Sequence, residues 1–144
     1  MNDQALNYLG LARKGGNLET GDEPVRAAVR AGHARLVLLA ADAGDHTQRR
    51  AENLSRSWAV PVLATPWTKL ELGRAAGSRS CALAAFTEPR LALAFLRALD
   101  PPPDAKVMET LETQSQKAAA RQAEARAHET KRKHGSAPQR KRTK

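Results

Sequence analysis

The chain has 144 residues, and its 24 Lys and Arg against 15 Asp and Glu leave a net charge of +9. That length holds one ordinary domain and a tail, and the positive balance favours an anionic partner. A single cysteine rules out an internal disulfide and any cysteine-cluster metal site, and five aromatic residues are too few for a binder that stacks single-stranded bases on rings.

Asn2 or Asp3 can cap a first helix in which Leu6, Leu9 and Ala12 recur at helical spacing, ending at Gly15-Gly16. Asn17 to Thr20 reads as a short strand. Gly21-Asp22-Glu23-Pro24 reads as a helix start with Asp22 as cap and Pro24 in the first turn; Val25, Ala28 and Val29 form its apolar face and Gly32 stops it. The apolar run Arg35 to Ala41 has the character of a strand buried on both faces. A helix follows from Asp45 to Ser57, then a short strand from Pro61 to Ala64. Thr68-Lys69-Leu70-Glu71 has the spacing of a capping box and opens a helix that closes near Gly77. Cys81 to Phe86 is another apolar strand. Thr87-Glu88-Pro89 opens a helix carrying Leu91, Phe95, Leu96 and Leu99.

Asp100-Pro101-Pro102-Pro103-Asp104 breaks this pattern, because three prolines cannot continue a helix. From Lys106 to Lys133 the residues are good helix formers, but side chains larger than alanine and apolar stop after Leu111. A solvated or fraying helix is expected there, with residues 1–99 folding alone and residues 100–144 forming a basic, partly helical or disordered tail after the Pro-rich break. The last 14 residues carry seven basic groups and no acid, and are expected to be disordered when unbound. The tail has almost no large apolar residues to insert into a membrane surface. No apolar run reaches the roughly 20 residues of a span, and no basic-then-apolar leader opens the chain. The expectation is a cytoplasmic protein without membrane association.

Alternating strands and helices predict an α/β fold, with helices packed on both faces of a small, largely parallel sheet. Catalytic signals are weak. There is no phosphate-binding Gly-rich loop, and none of His33, His46, His128 and His134 has a partner at metal spacing. Cys81 reads as inert core. Asp42 follows a strand, where α/β enzymes place functional groups, and a small enzyme using it in a post-strand cleft is the rival reading. With no base or nucleophile beside it, a turn or capping role suits Asp42 better. Binding signals are stronger. The helix opening after Gly21 offers free backbone N–H groups and a positive dipole end. Lys69 also sits at a helix start after a strand, and Arg79 lies in the polar turn before the last strand. In an alternating layout such turns can converge on one edge.

Leu9-Gly-Leu-Ala-Arg-Lys-Gly-Gly, Gly21-Asp-Glu, Leu36-Val-Leu-Leu-Ala-Ala-Asp-Ala and Thr68-Lys-Leu-Glu-Leu-Gly-Arg-Ala-Ala-Gly occur in order. Together they resemble the kink-turn-binding ribosomal-protein family of the L-seven-Ae type, most of all its small bacterial YlxQ-like members, over roughly residues 5–99. The resemblance implies a three-layer α/β/α sandwich around a four-stranded mixed sheet. It implies binding to structured, kink-turn-like RNA, ribosomal RNA above all, by a monomer with no cofactor, no metal and no catalysis. Gly21 matches the Gly of the archaeal Gly-x-Asn-Glu-x-x-Lys signature, while Glu23, Pro24 and Ala27 replace its Asn, Glu and Lys. Gly-acid-Glu is similar to the bacterial subgroup. The residues expected at RNA are Gly21, Asp22 and Glu23 reading the kinked groove, with Arg26, Lys69 and Arg79 on phosphates. A ribosome-assembly factor that meets RNA by shape and charge alone is the nearer alternative.

Overall fold

The computed structural model describes residues 3–135. Ten elements follow in chain order: α1 (Asp3–Lys14), β1 (Leu18–Thr20), α2 (Asp22–Arg30), β2 (Leu36–Leu39), α3 (Asp45–Trp58), β3 (Val62–Ala64), α4 (Lys69–Ala75), β4 (Leu83–Phe86), α5 (Pro89–Arg97) and α6 (Ala105–Gly135). The four strands form one sheet in the order β1-β4-β2-β3. Helices cover both faces, so the molecule is an α/β/α sandwich around a mixed sheet.

The sheet is less parallel than the alternation of elements predicts. Only β2 and β3 run parallel, while β4 is antiparallel to both β1 and β2. The reason lies in the last crossover. A parallel β4 would need a connection that carries the chain back to the start of β3. The connection instead doubles back on itself, the Cys81 N–H donating to the Lys69 carbonyl at 2.9 Å. The chain therefore enters β4 at the edge where β3 left off. Three strand ends and one strand start share that edge.

Alternation of side chains along the strands divides the core. Leu36, Leu38, Ala84 and Phe86 face α1, α5 and the start of α6, where Leu9, Phe95 and Leu96 are fully buried. The Phe86 and Phe95 rings pack at 5.2 Å between centroids, tilted by 46°. Val37, Leu83 and Ala85 face α2 and α3, meeting Val25, Val29, Ala51 and Leu54. The expected apolar face of α2 is thus the buried one.

Two local expectations change. Gly21, not Asp22, is the N-cap of α2. Its φ of 98° and ψ of 162° suit glycine alone. Asp22 is the first helical residue, and its carboxylate is spent on Arg50 of α3. The second change concerns the extension. The proline break is present, but α6 does not begin as a solvated helix. Leu111 is fully buried, with Val107 and Met108 packed beside it against the α1–α5 core. These three side chains on one face dock the first turns of the helix. Residues 131–135 continue α6; the rest of the segment expected to be disordered, 136–144, lies outside the described residues.

Candidate functional site

The topology sends four turns to one edge of the sheet. Gly21 follows β1, Ala41 to Gly44 follow β2, Thr65 to Thr68 follow β3, and Ser78 to Cys81 precede β4. Backbone bonds join them. The Gly21 N–H donates to the Leu83 carbonyl at 2.9 Å, and the Ala41 N–H donates to the Trp67 carbonyl at 2.7 Å. Asp42 Oδ1 accepts from the Lys69 N–H at 2.7 Å. That bond gives Asp42 a bracing role between two turns, as a cap supplied from a neighbouring loop.

The α4 start is built as its sequence predicts. The Glu71 N–H donates to Thr68 Oγ1 at 3.2 Å, and the Thr68 N–H donates to Glu71 Oε1 at 2.9 Å, completing a capping box. This fixes the first turn and with it Lys69, which is half-buried. Arg79 is exposed in the following turn. Neither Lys69 nor Arg79 forms an ion pair among the described residues.

The α2 start is different. Glu23 lies 3.6 Å from Arg26 and 3.5 Å from Arg30, and Asp22 lies 3.6 Å from Arg26 and also pairs with Arg50. Arg26 is thus held against its own helix rather than left free. Glu23 keeps a side chain that is 72% exposed despite its two partners. Surface pairs of this length contribute little, about 0.2–1 kcal/mol, so Glu23 can exchange them for another donor. The structure brings Gly21, Asp22, Glu23, Lys69 and Arg79 to one edge, with Arg26 one turn along α2.

Two contributors escape the sequence reading. Arg50 ties α3 to the start of α2, and its signal is buried in a charged helix with no distinctive spacing. Gly73 is more legible, since a glycine inside a short capped helix asks for a reason. A Cβ there would lie 2.8 Å from Ser80 N and Cα, so the turn carrying Arg79 crosses the helix in direct backbone contact.

Cys81 lies beneath this edge, buried, with its thiol donating to the Leu83 carbonyl at 3.3 Å. Burial pushes its pKa up, partly offset by backbone hydrogen bonding at Gly21 and Leu83. A thiol held neutral is a poor nucleophile, which agrees with the core role read from the sequence. Among the described residues no group of three or more His, Cys, Asp or Glu could hold a metal ion, and no helix is long and apolar enough to cross a membrane.

The fold is an α/β/α sandwich whose four turns meet at one edge of the sheet. The chain belongs to the ribosomal protein L7Ae/L30e/S12e/Gadd45 family, whose model matches residues 3–92. It is 31% identical to a solved protein of unknown function from Bacillus halodurans, covering 67% of this chain and 97% of that one with a TM-score of 0.62. It is 36% identical over 58 residues to the RNA-binding protein YlxQ of Enterococcus faecium, a match spanning 40% of this chain and 56% of that protein. The 15.5 kD RNA-binding protein of Giardia lamblia shares the fold at 18% identity, with a TM-score of 0.52 over 83% of this chain and 88% of that one.

Proposed function

We propose that this protein binds structured RNA on the edge formed by the four turns, acting as a monomer in the cytoplasm without catalysis. The observation that carries the reading is the convergence of Gly21, Lys69 and Arg79 on one edge through backbone bonds, in a chain of this family. The likeness to an RNA-binding protein, YlxQ, supports the choice of ligand. The RNA in this reading is a kinked helix with tandem sheared G·A pairs, and ribosomal RNA is the proposed source. Lys69 and Arg79 contact phosphates and set position. The α2 start enters the widened groove, where Gly21 keeps side-chain bulk away from the RNA backbone. Glu23 leaves Arg26 and Arg30 to accept hydrogen bonds from guanine N1–H and N2–H, and the released arginines turn to phosphate.

The ion pairs of Glu23 also favour a second reading, in which the carboxylate stays with its arginines and the protein meets RNA by shape and charge, as an assembly factor would. Glu23→Gln separates the two, because it keeps size and removes the charge. A guanine contact predicts a loss of about 1–3 kcal/mol on a kinked RNA, absent when Watson–Crick pairs replace the G·A pairs. Equal or tighter binding of both RNAs, measured by fluorescence anisotropy, would establish the shape-and-charge reading instead.

A further inference from the structure

Helices α2 and α3 both start at the four-turn edge, after β1 and β2, and run away from it. Val25 and Val29 of α2 share one buried cluster with Ala51 and Leu54 of α3, which closes the seam between the two helices from below. Above the seam, helical spacing sets polar side chains in two rows. Arg26 and Arg30 lie four apart on α2, and Arg50, Asn53 and Ser57 follow one another along α3. With Trp58 they line a cavity of about 320 Å³.

Two properties of this groove point to a ligand. The first is the ring. Trp58 is 50% exposed, more than any other aromatic side chain among the described residues, whereas Trp67 is 7% exposed and packs on Phe95. A single exposed apolar residue is ordinary. An indole in a concave place beside guanidinium groups is a seat for a flat group that carries an anion. The second is the charge. Arg26, Arg30 and Arg50 share two carboxylates, those of Asp22 and Glu23, so the groove holds more cations than anions. The pairs of Glu23 with Arg26 and Arg30, at 3.6 and 3.5 Å, are exposed and open at small cost. When Glu23 turns to guanine, the positive excess in the groove grows.

We propose that the groove between α2 and α3 holds a single-stranded flank of the bound RNA, with one base stacked on Trp58 and the neighbouring phosphates on Arg26 and Arg30. The inference rests on the RNA-binding reading above and extends it along α2. A strand leaving the widened groove at Gly21 meets this channel next, and from Asp22 to Arg30 the path is about 12 Å at 1.5 Å per residue. Asn53 and Ser57 offer hydrogen bonds to the edge of the seated base. One ring serves one base and is no platform for a long strand. Stacking is also tolerant of sequence, since every base has a flat face, so the flank adds affinity while the kink supplies discrimination.

The test uses the full chain and its Trp58→Leu variant, in which leucine keeps an apolar cover at the end of α3 and removes the ring. The probes are a kinked RNA with tandem G·A pairs and no flank, the same RNA with a short adenylate flank at its 5′ or its 3′ end, and the same RNA with an abasic flank of equal length. At one of the two ends the adenylate flank should tighten binding at least about fivefold and quench tryptophan fluorescence. Trp58→Leu should lose both the gain and the quenching while binding the unflanked RNA as the wild type does. The abasic flank should leave the indole unquenched. If the variant fails to fold, the wild type's quenching by the adenylate flank and not by the abasic one decides. No gain from either end, a gain that Trp58→Leu retains, or equal quenching by the abasic flank overturns the proposal. So does equal quenching by polyglutamate, which would make the groove a seat for an acidic protein. If the protein ignores the kink, the kinked-helix reading falls, while a gain that depends on Trp58 still upholds the groove.

Discussion

Replacing Gly73 by alanine is the most direct perturbation of the candidate site, because it acts on the turn that carries Arg79 without touching a charge. The added Cβ would stand 2.8 Å from Ser80 N and Cα and 2.9 Å from the Arg79 carbonyl carbon. Comfortable separation between carbon atoms is about 3.5–4.0 Å, so the turn would have to retreat by about 0.7 Å or more. Two effects oppose each other. Alanine favours the helix over glycine by up to about 1 kcal/mol, and overpacking costs about 1–3 kcal/mol. The obstacle here is backbone, which cannot rotate aside. It is pinned on both sides, by the Ser78 N–H to the Gly73 carbonyl at 2.7 Å and by the Cys81 N–H to the Lys69 carbonyl at 2.9 Å. Overpacking should therefore win, with a net loss of about 1–2 kcal/mol and a Tm lower by about 3–8 °C. RNA affinity should fall as well, and in a double-mutant cycle with Arg79→Ala the two losses should not add, since both act through one side chain. Thermal denaturation and anisotropy titrations measure these effects. A Tm equal to or above that of the wild type would mean that helix propensity dominates and that Gly73 does not brace the turn.

Leu111→Ala should destabilise the protein by about 2–5 kcal/mol in urea denaturation, because a fully buried leucine leaves a cavity between α6 and the core. Truncation after Leu99 removes the same side chain and should lower the Tm by more than the few degrees expected of a chain whose extension is solvated. Lys69→Ala should weaken RNA binding without regard to sequence and reduce the salt slope by about one unit; an unchanged slope would place Lys69 off the interface. The Cys81 thiol, raised by burial, stays neutral in the folded chain after the unfolded thiol has begun to ionise near pH 8.5. Its contribution to stability is therefore complete below that pH and is lost as pH rises towards the folded pKa. Above about pH 8.5 the wild type should lose stability faster than Cys81→Ala, by at most about 1.4 kcal/mol per pH unit. Parallel curves would mean that Cys81 is not desolvated.

Element order was readable because each helix has its own punctuation. The Thr68–Glu71 box, the glycines after α1 and α2, and the proline in the first turn of α5 are local chemistry, and the chain obeys them. Strand direction was not readable from alternation, since it depends on whether a connection returns along the sheet, and that is decided by the contact between Lys69 and Cys81. The resemblance of the ordered motifs to a known family supplied the mixed sheet that periodicity did not. The docking of α6 was hidden for a similar reason. Val107, Met108 and Leu111 make a stripe of only three apolar residues at the head of a long polar helix, and their partners lie in the core formed with α1 and α5. At the site, Gly21, Lys69 and Arg79 stood out as turn residues after or before strands. The partnership of Asp22 with Arg50 did not, because the two are 28 residues apart.

The strand order has a consequence for how the protein is made. The strand translated last, β4, is the one that sits between β1 and β2. Until Phe86 has left the ribosome the sheet is split, with β1 unpaired on one side and the β2–β3 pair on the other. The Gly21 N–H has no Leu83 carbonyl to bind, and the Lys69 carbonyl has no Cys81 N–H to receive. Such non-local pairing is slow to close and leaves strand edges open while it waits. The complete edge therefore does not exist in a nascent chain that stops short of β4, and an unfinished copy lacks the surface proposed here to meet RNA. Competence arrives late, when a single strand slots into the centre of the sheet and joins the turn after β1 to those after β2 and β3, which Ala41 and Asp42 already link.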